Sequence, residues 1–188
     1  MDKKVIFSVA AFIFSVISSM LGLGYLVTLV LGLSFDLLFP LPVRILGVFV
    51  ISVGAGFAGW TLRYRKPNDI MESSYATVKK AIKRINVKEK IGRSEALVIV
   101  GPYKHVRHPQ YFGVVMLIFG LGLLSSFTFL FFASLFSFLW FRFVLIPFEE
   151  KELLAIFGEQ YKNYMRKVPS IFPFTNFFMG SKENSYTK

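Results

Sequence analysis

The sequence predicts an all-α fold, a polytopic transmembrane helical bundle of about four spans. Three observations predict it. The first is a run from Val5 to Leu33 whose only polar side chains are Ser, Thr and Tyr; it exceeds the ~20 apolar residues that a membrane-crossing helix needs. The second is that such runs recur, at 5–33, 42–62, 110–124 and 127–147. The third is the charge pattern. Lys and Arg fall at Lys3 and Lys4, through 63–107 and from Lys151 onward, whereas Arg44 stands alone on the other side. Excess Lys and Arg mark the cytoplasmic face, so both termini are expected there, with short external turns.

The first run lacks the shorter apolar core and small-residue cleavage site of a signal peptide, so a retained span is expected. Pro40 and Pro42 separate it from the second run, where proline suits a helix start. The second helix carries Ser52, Ala55, Gly56 and Gly59; the pairs Ser52/Gly56 and Ala55/Gly59 predict a small-residue face for close helix packing. Residues 63–100 form a cytoplasmic connection. Within it Tyr75, Val78, Ile82 and Ile85 alternate with Lys79, Lys80, Lys83 and Arg84 at helical spacing. That is a basic amphipathic helix capped by Asn68 or Asp69, suited to anionic lipid headgroups at the interface. Ser125 and Ser126 join the third and fourth runs into a C-terminal helical hairpin. The resulting division is 1–62 for two N-terminal spans, 63–100 for the connection, 101–173 for a core and 174–188 for a polar tail.

Composition narrows the function classes. A net charge of +11 in a soluble chain would suggest nucleic acid, but no basic platform with interleaved aromatics is present, and topology and lipid contact account for the charge. The chain has no cysteine and only 2 histidines, so no disulfide framework forms and a metal centre at His105 and His108 is disfavoured.

Two stretches carry chemistry. Gly101-Pro102-Tyr103-Lys104-His105-Val106-Arg107-His108-Pro109-Gln110-Tyr111-Phe112-Gly113 sits at the cytoplasmic mouth of the third helix. Pro109 suits a first helical turn, and His108 then lies where free backbone N–H groups favour anions. The second stretch is Glu149-Glu150-Lys151-Glu152, followed by Phe157, Gly158, Tyr161, Tyr164, Val168 and Pro169. Adjacent carboxylates beside hydrocarbon are costly without partners. A hairpin puts His108–Tyr111 and Glu149–Glu150 at one membrane face, where they can converge on one pocket. Glu150 and Glu152 are expected to be solvated or paired with Lys151 or Arg166, and Tyr161 and Tyr164 to be interfacial anchors.

The ordered pattern G-P-Y-x-x-V-R-H-P-x-Y-x-G, two short helices, then E-E-x-x-L-x-x-x-F-G-x-x-Y-x-x-Y, a Val and a Pro, resembles the isoprenylcysteine carboxyl methyltransferase and phospholipid methyltransferase superfamily over residues 95–173. The resemblance implies a cytoplasmic cofactor pocket for S-adenosylmethionine. Carried over by motif position, its donor-binding residues are Glu95, Ala96, Leu97, Val98, Tyr103, His108, Pro109, Gln110, Tyr111 and Glu149. Glu95 replaces a more usual neutral or imidazole residue. The donor's ammonium, sulfonium and ribose diol suit Glu149, its carboxylate suits Arg107, and Tyr103 or Tyr111 can stack on adenine. No metal is required. In-line positioning in a dry pocket suffices for so good a leaving group.

The acceptor is expected to be lipophilic and to enter from the bilayer. In the prenylcysteine branch an arginine stands four residues before the first glutamate; here that position is Leu145, and Arg142 lies three residues earlier. Arg142, with Arg107, is the candidate for catalysis, and the acceptor is expected to differ from a prenylcysteine carboxylate. One alternative is an NADPH-dependent membrane reductase of sterol-reductase type, which shares an R-H-P-x-Y-x-G segment but usually carries Asn where this chain has Gln110. Another is a non-enzymatic membrane scaffold.

Overall fold

A computed structural model describes residues 3–66 and 97–173. The basic amphipathic segment, Glu95, Ala96 and the polar tail lie outside the described residues. Everything named below is helix or loop; among the described residues there is no strand, only an isolated bridge between Asp36 and Phe127.

Helix α1 spans Lys3–Val30. It stops short of Leu33 because Gly32 takes a left-handed φ of +62°. The Leu33 N–H then donates to Thr28 O at 3.1 Å and the Gly32 N–H to Leu29 O at 3.1 Å, a glycine-terminated helix end. Helix α2, Leu41–Leu62, starts behind Pro40 with Pro42 in its first turn, where the missing N–H costs nothing. A 3-10 turn at Gly101–Lys104 leads to α3, Pro109–Ser125, which ends on Ser126 at φ +66°.

The helix of the fourth apolar run continues past the end of that run near 147. Helix α4, Thr128–Trp140, passes through a π turn at Phe141–Leu145 into α5, Ile146–Phe157, as one continuous helical stretch. Pro147 offers a physical reason for the π turn. It has no N–H for the carbonyl one turn back and its ring crowds that carbonyl. The ladder widens just before it, with the Ile146 N–H bonded to Phe141 O. Gly158, at φ +53°, turns the chain into α6, Glu159–Lys167. Among the described residues two helices, Leu41–Leu62 and Thr128–Phe157, are long and apolar enough to cross a membrane; Phe14–Val30 and Pro109–Ser125 are shorter apolar helices.

Helix α2 lies against α3 and α1 against α4. The α2–α3 contact is glycine on glycine. A Cβ on Gly54 would stand 2.9 Å from Gly113 O, and one on Gly120 would stand 2.9 Å from Gly47 O. The expected packing face is therefore the wrong one: Ser52, Ala55, Gly56 and Gly59 are exposed, and a Cβ on Gly56 or Gly59 would meet nothing within 4 Å. Gly47 and Gly54 make the close contact because α3 answers them with Gly120 and Gly113. At the end of the bundle away from the basic motif, the Leu37 N–H donates to Ser126 O at 2.9 Å and the Thr128 N–H to Phe35 O at 2.9 Å. These bonds fasten the α1–α2 connection to the α3–α4 turn. At the other end Phe112, Val115, Phe141, Ile146 and Ile171 form the apolar floor on which the polar cluster rests.

Candidate active site

The site begins at Gly101. Its φ is +62°, and a side chain there would run into the Tyr64 ring, so glycine alone permits this turn. The turn buries Pro102, Tyr103 and Val106. The Arg107 N–H then donates to Pro169 O at 2.9 Å and the His108 N–H to Ser170 O at 3.0 Å. Those bonds hold the motif against the segment after α6. Pro109 opens α3 behind His108.

His108, only 4% exposed, lies between the two glutamates. Its Nδ1 is 3.1 Å from Glu149 Oε2 and its Nε2 3.4 Å from Glu150 Oε1. Arg107 Nη2 stands 3.0 Å from the same Glu150 oxygen. Burial disfavours the imidazolium, but the hydrogen bonds and charges of Glu149 and Glu150 outweigh it and hold the His108 pKa above its ordinary value. Two cations and two carboxylates thus offset one another, which is what lets four such groups sit this close to an apolar floor. Tyr111 stacks on His108 at 5.6 Å and on Phe141 at 4.6 Å, fixing the imidazole plane from below.

A cleft of about 590 Å³, its open mouth included, lies over this cluster. Of the residues singled out in the sequence, Leu97, Val98, Tyr103, Arg107, His108, Gln110 and Glu149 line it. Pro109 is buried at the helix start and Tyr111 lies beneath His108, so neither is in the wall. Arg142 is exposed on the π turn, its guanidinium 5.8 Å from the centre of the Phe143 ring, and is also outside the wall.

Three expectations are corrected here. Glu150 is bound by Arg107 and His108, not by Lys151 or Arg166. Glu152 is 2% exposed, not solvated. Tyr161 and Tyr164 are not interfacial anchors but form one side of the cleft; the Tyr164 hydroxyl donates to Tyr103 O at 2.6 Å. Burial raises both phenol pKa values, with Glu150 adding to the rise at Tyr161 and Arg107 opposing it at both. Sequence reasoning missed Arg65, Leu153 and Phe157 as wall residues as well. Glu149, Leu153 and Phe157 recur every four residues, so the stripe of α5 that carries the glutamate was there to be extended. Arg65 gives no comparable signal.

A family model described as phospholipid methyltransferase matches residues 45–160, more than half of the chain, with His108 and Glu149 inside the match. A methanethiol S-methyltransferase of Crocosphaera subtropica is 43% identical over 72 residues, 38% of this chain and 27% of that one. A protein-S-isoprenylcysteine O-methyltransferase of Schizosaccharomyces pombe is 40% identical over 92 residues, 46% and 37% of the two chains. A methanethiol S-methyltransferase 2 of Bradyrhizobium diazoefficiens is 26% identical over 123 residues, 65% and 46%. The matched segments thus span less than half the length of each of these relatives. No solved structure matches. The chain belongs to the phospholipid methyltransferase family.

Proposed function

We propose that this protein is an integral membrane methyltransferase that takes its methyl group from S-adenosylmethionine and gives it to a lipophilic acceptor. One observation carries the reading: the two motifs, 41 residues apart from His108 to Glu149 in the chain, meet at 3.1 Å beneath a single cleft. The residues fit the donor. Glu149 offers a carboxylate to an ammonium or ribose hydroxyls, and Arg107 a cation to a carboxylate. Gln110 Oε1 is buried without a hydrogen-bond partner among the described residues, so it can accept from an amino or hydroxyl group entering the cleft. Tyr103 and Phe157 add aromatic surface for a nucleobase. The donor supplies an electrophilic methyl on a sulfonium, whose departure leaves a neutral thioether.

The protein's own part is then positioning and exclusion of water. His108 holds Glu149 from below, Tyr111 holds His108, and Tyr164 holds the Tyr103 turn. We place the donor mouth and both termini on the cytoplasmic side, supported by the Lys and Arg bias. The apolar helices are read as about four spans, α3 and α4 as the C-terminal hairpin, and 101–173 as the catalytic unit. The basic segment that follows α2 would face anionic headgroups. Arg142, an arginine on an apolar helix at a π turn, is assigned to the polar group of the acceptor from the bilayer side. Leu145 stands where the prenylcysteine branch has its arginine, so that acceptor's carboxylate is not expected to be the natural one.

The test is methyl transfer from labelled S-adenosylmethionine to a panel: a farnesylcysteine analogue, phospholipids, and small lipophilic thiols. Label in a lipophilic acceptor other than the farnesylcysteine analogue is expected. Preferred turnover of that analogue would overturn the acceptor assignment, and transfer to none of the panel would count against the reading as a whole.

A further inference from the structure

Among the described residues, two hydrogen-bond donors in the cleft have no acceptor. The Tyr161 hydroxyl belongs to a residue 1% exposed and has no partner. The Arg107 Nε–H is buried and equally unmet, although Nη2 of the same guanidinium holds Glu150. Both residues line the cleft that Glu149 faces. Folded proteins rarely bury a donor without a partner, and such a group asks for an explanation. Burial also keeps the Tyr161 phenol protonated, so it is a donor and not a second anion beside Glu150.

We propose that the Tyr161 hydroxyl and the Arg107 Nε–H form a carboxylate subsite that receives the amino-acid carboxylate of the methyl donor. The assignment rests on the S-adenosylmethionine reading above. An α-amino acid carries its ammonium and its carboxylate on one carbon, so a site for it needs an acidic side chain and paired donors in one small volume. Glu149 supplies the first; Arg107 and Tyr161 supply the second. The charge of Arg107 is already offset by Glu150 at 3.0 Å, so the neutral phenol adds direction without adding net charge. An anionic acceptor headgroup would have the same chemistry. The position of Tyr161 favours the donor: it lies on α6, Glu-Gln-Tyr-Lys-Asn-Tyr-Met-Arg-Lys, where Met165 and the two tyrosines stand among six charged or amide residues, at the end proposed to face water.

The experiment is calorimetry on the full chain in detergent with two ligands, S-adenosylhomocysteine and its decarboxylated analogue, on the wild type, Tyr161→Phe and Arg107→Lys. Arg107→Lys keeps the charge but removes the Nε–H together with the Nη2 that holds Glu150, so it is read beside Tyr161→Phe, which leaves that pair intact. The wild type is expected to prefer the carboxylate-bearing ligand by about tenfold or more, as loss of a charged hydrogen bond implies. Each variant is expected to lose that preference, so that the two ligands bind it with similar affinity. Tyr161→Phe removes an unmet buried hydroxyl, so its melting temperature without ligand should be unchanged or raised; a fall, with equal loss of both ligands, would make Tyr161 merely structural and overturn the proposal. Unaltered preference in Tyr161→Phe would overturn it too, while leaving the donor reading intact. Phosphatidic acid that competes with S-adenosylhomocysteine in the wild type but not in Tyr161→Phe would reassign the subsite to an acceptor. A wild type that binds neither nucleoside would remove the donor reading itself, and the subsite with it.

Discussion

His108 Nδ1 stands 3.1 Å from Glu149 Oε2, in a cluster where both side chains are nearly shut off from solvent. The contact joins the start of α3 to the first turns of α5, and it ties the orientation of Glu149 to the protonation of one imidazole.

Exchanging each glutamate for glutamine separates their roles. Glu149 lines the cleft, whereas Glu150 is bound by Arg107 and His108. Glu149→Gln is expected to weaken S-adenosylhomocysteine binding by ~1.5–3 kcal/mol, the worth of a charged hydrogen bond. Glu150→Gln should show itself mainly in a lower melting temperature, since it strips a partner from buried cations. Calorimetry and thermal melts on both variants check this, and equal losses of affinity would sink the distinction.

Stability should depend on pH through His108. Burial pulls its pKa down, but Glu149 and Glu150 raise it past the ordinary value of 6.5. The unfolded chain releases this proton near 6.5, while the folded chain holds it to higher pH. The ion-pair contribution is therefore complete below about 6.5 and is lost as pH climbs through the raised folded value. Tyr161 and Tyr164, also raised, lower stability only above their ordinary value of 10.0, where the unfolded chain begins to ionise them first. A melting temperature that falls between pH 6.5 and 10.0 in the wild type and is flatter in His108→Gln is expected. Parallel profiles would contradict it.

Helix α2 gives a third expectation. Gly54→Val puts a branched side chain where Gly113 O already stands 2.9 Å from the Cβ position, next to the Met116 Cβ at 3.1 Å. Backbone cannot yield as a side-chain tip can, and overpacking of this kind costs ~1–3 kcal/mol. Gly56→Ala faces open space and should be neutral or stabilising by up to about 1 kcal/mol from helix propensity. Unfolding of the two variants in detergent makes the comparison.

The glycines also show where sequence reasoning stopped. Small residues four apart are visible in α2, but which face turns inward depends on the partner helix. Gly47 and Gly54 are chosen because Gly120 and Gly113 stand opposite at matching spacing. The helices themselves were legible, since apolar runs, Pro40, Pro42 and Pro109 set their starts. The continuous helix from Thr128 to Phe157 was not; its π turn keeps the ladder going past Pro147, a position that normally ends one. In the site, the meeting of His108 with Glu149 was foreseeable because both motifs lie at one end of adjoining helices. The pairing of Arg107 with Glu150, and the burial of Tyr161, depend on how α6 folds back after Gly158. Local pattern carries no record of that turn.

If the cleft over His108 and Glu149 holds a sulfonium methyl donor, as proposed, calorimetry of the purified full chain with S-adenosylhomocysteine and, separately, NADPH will show it. Micromolar binding of S-adenosylhomocysteine with no heat from NADPH is the expected result. Binding of NADPH without S-adenosylhomocysteine would contradict the account and move the cleft to a membrane reductase.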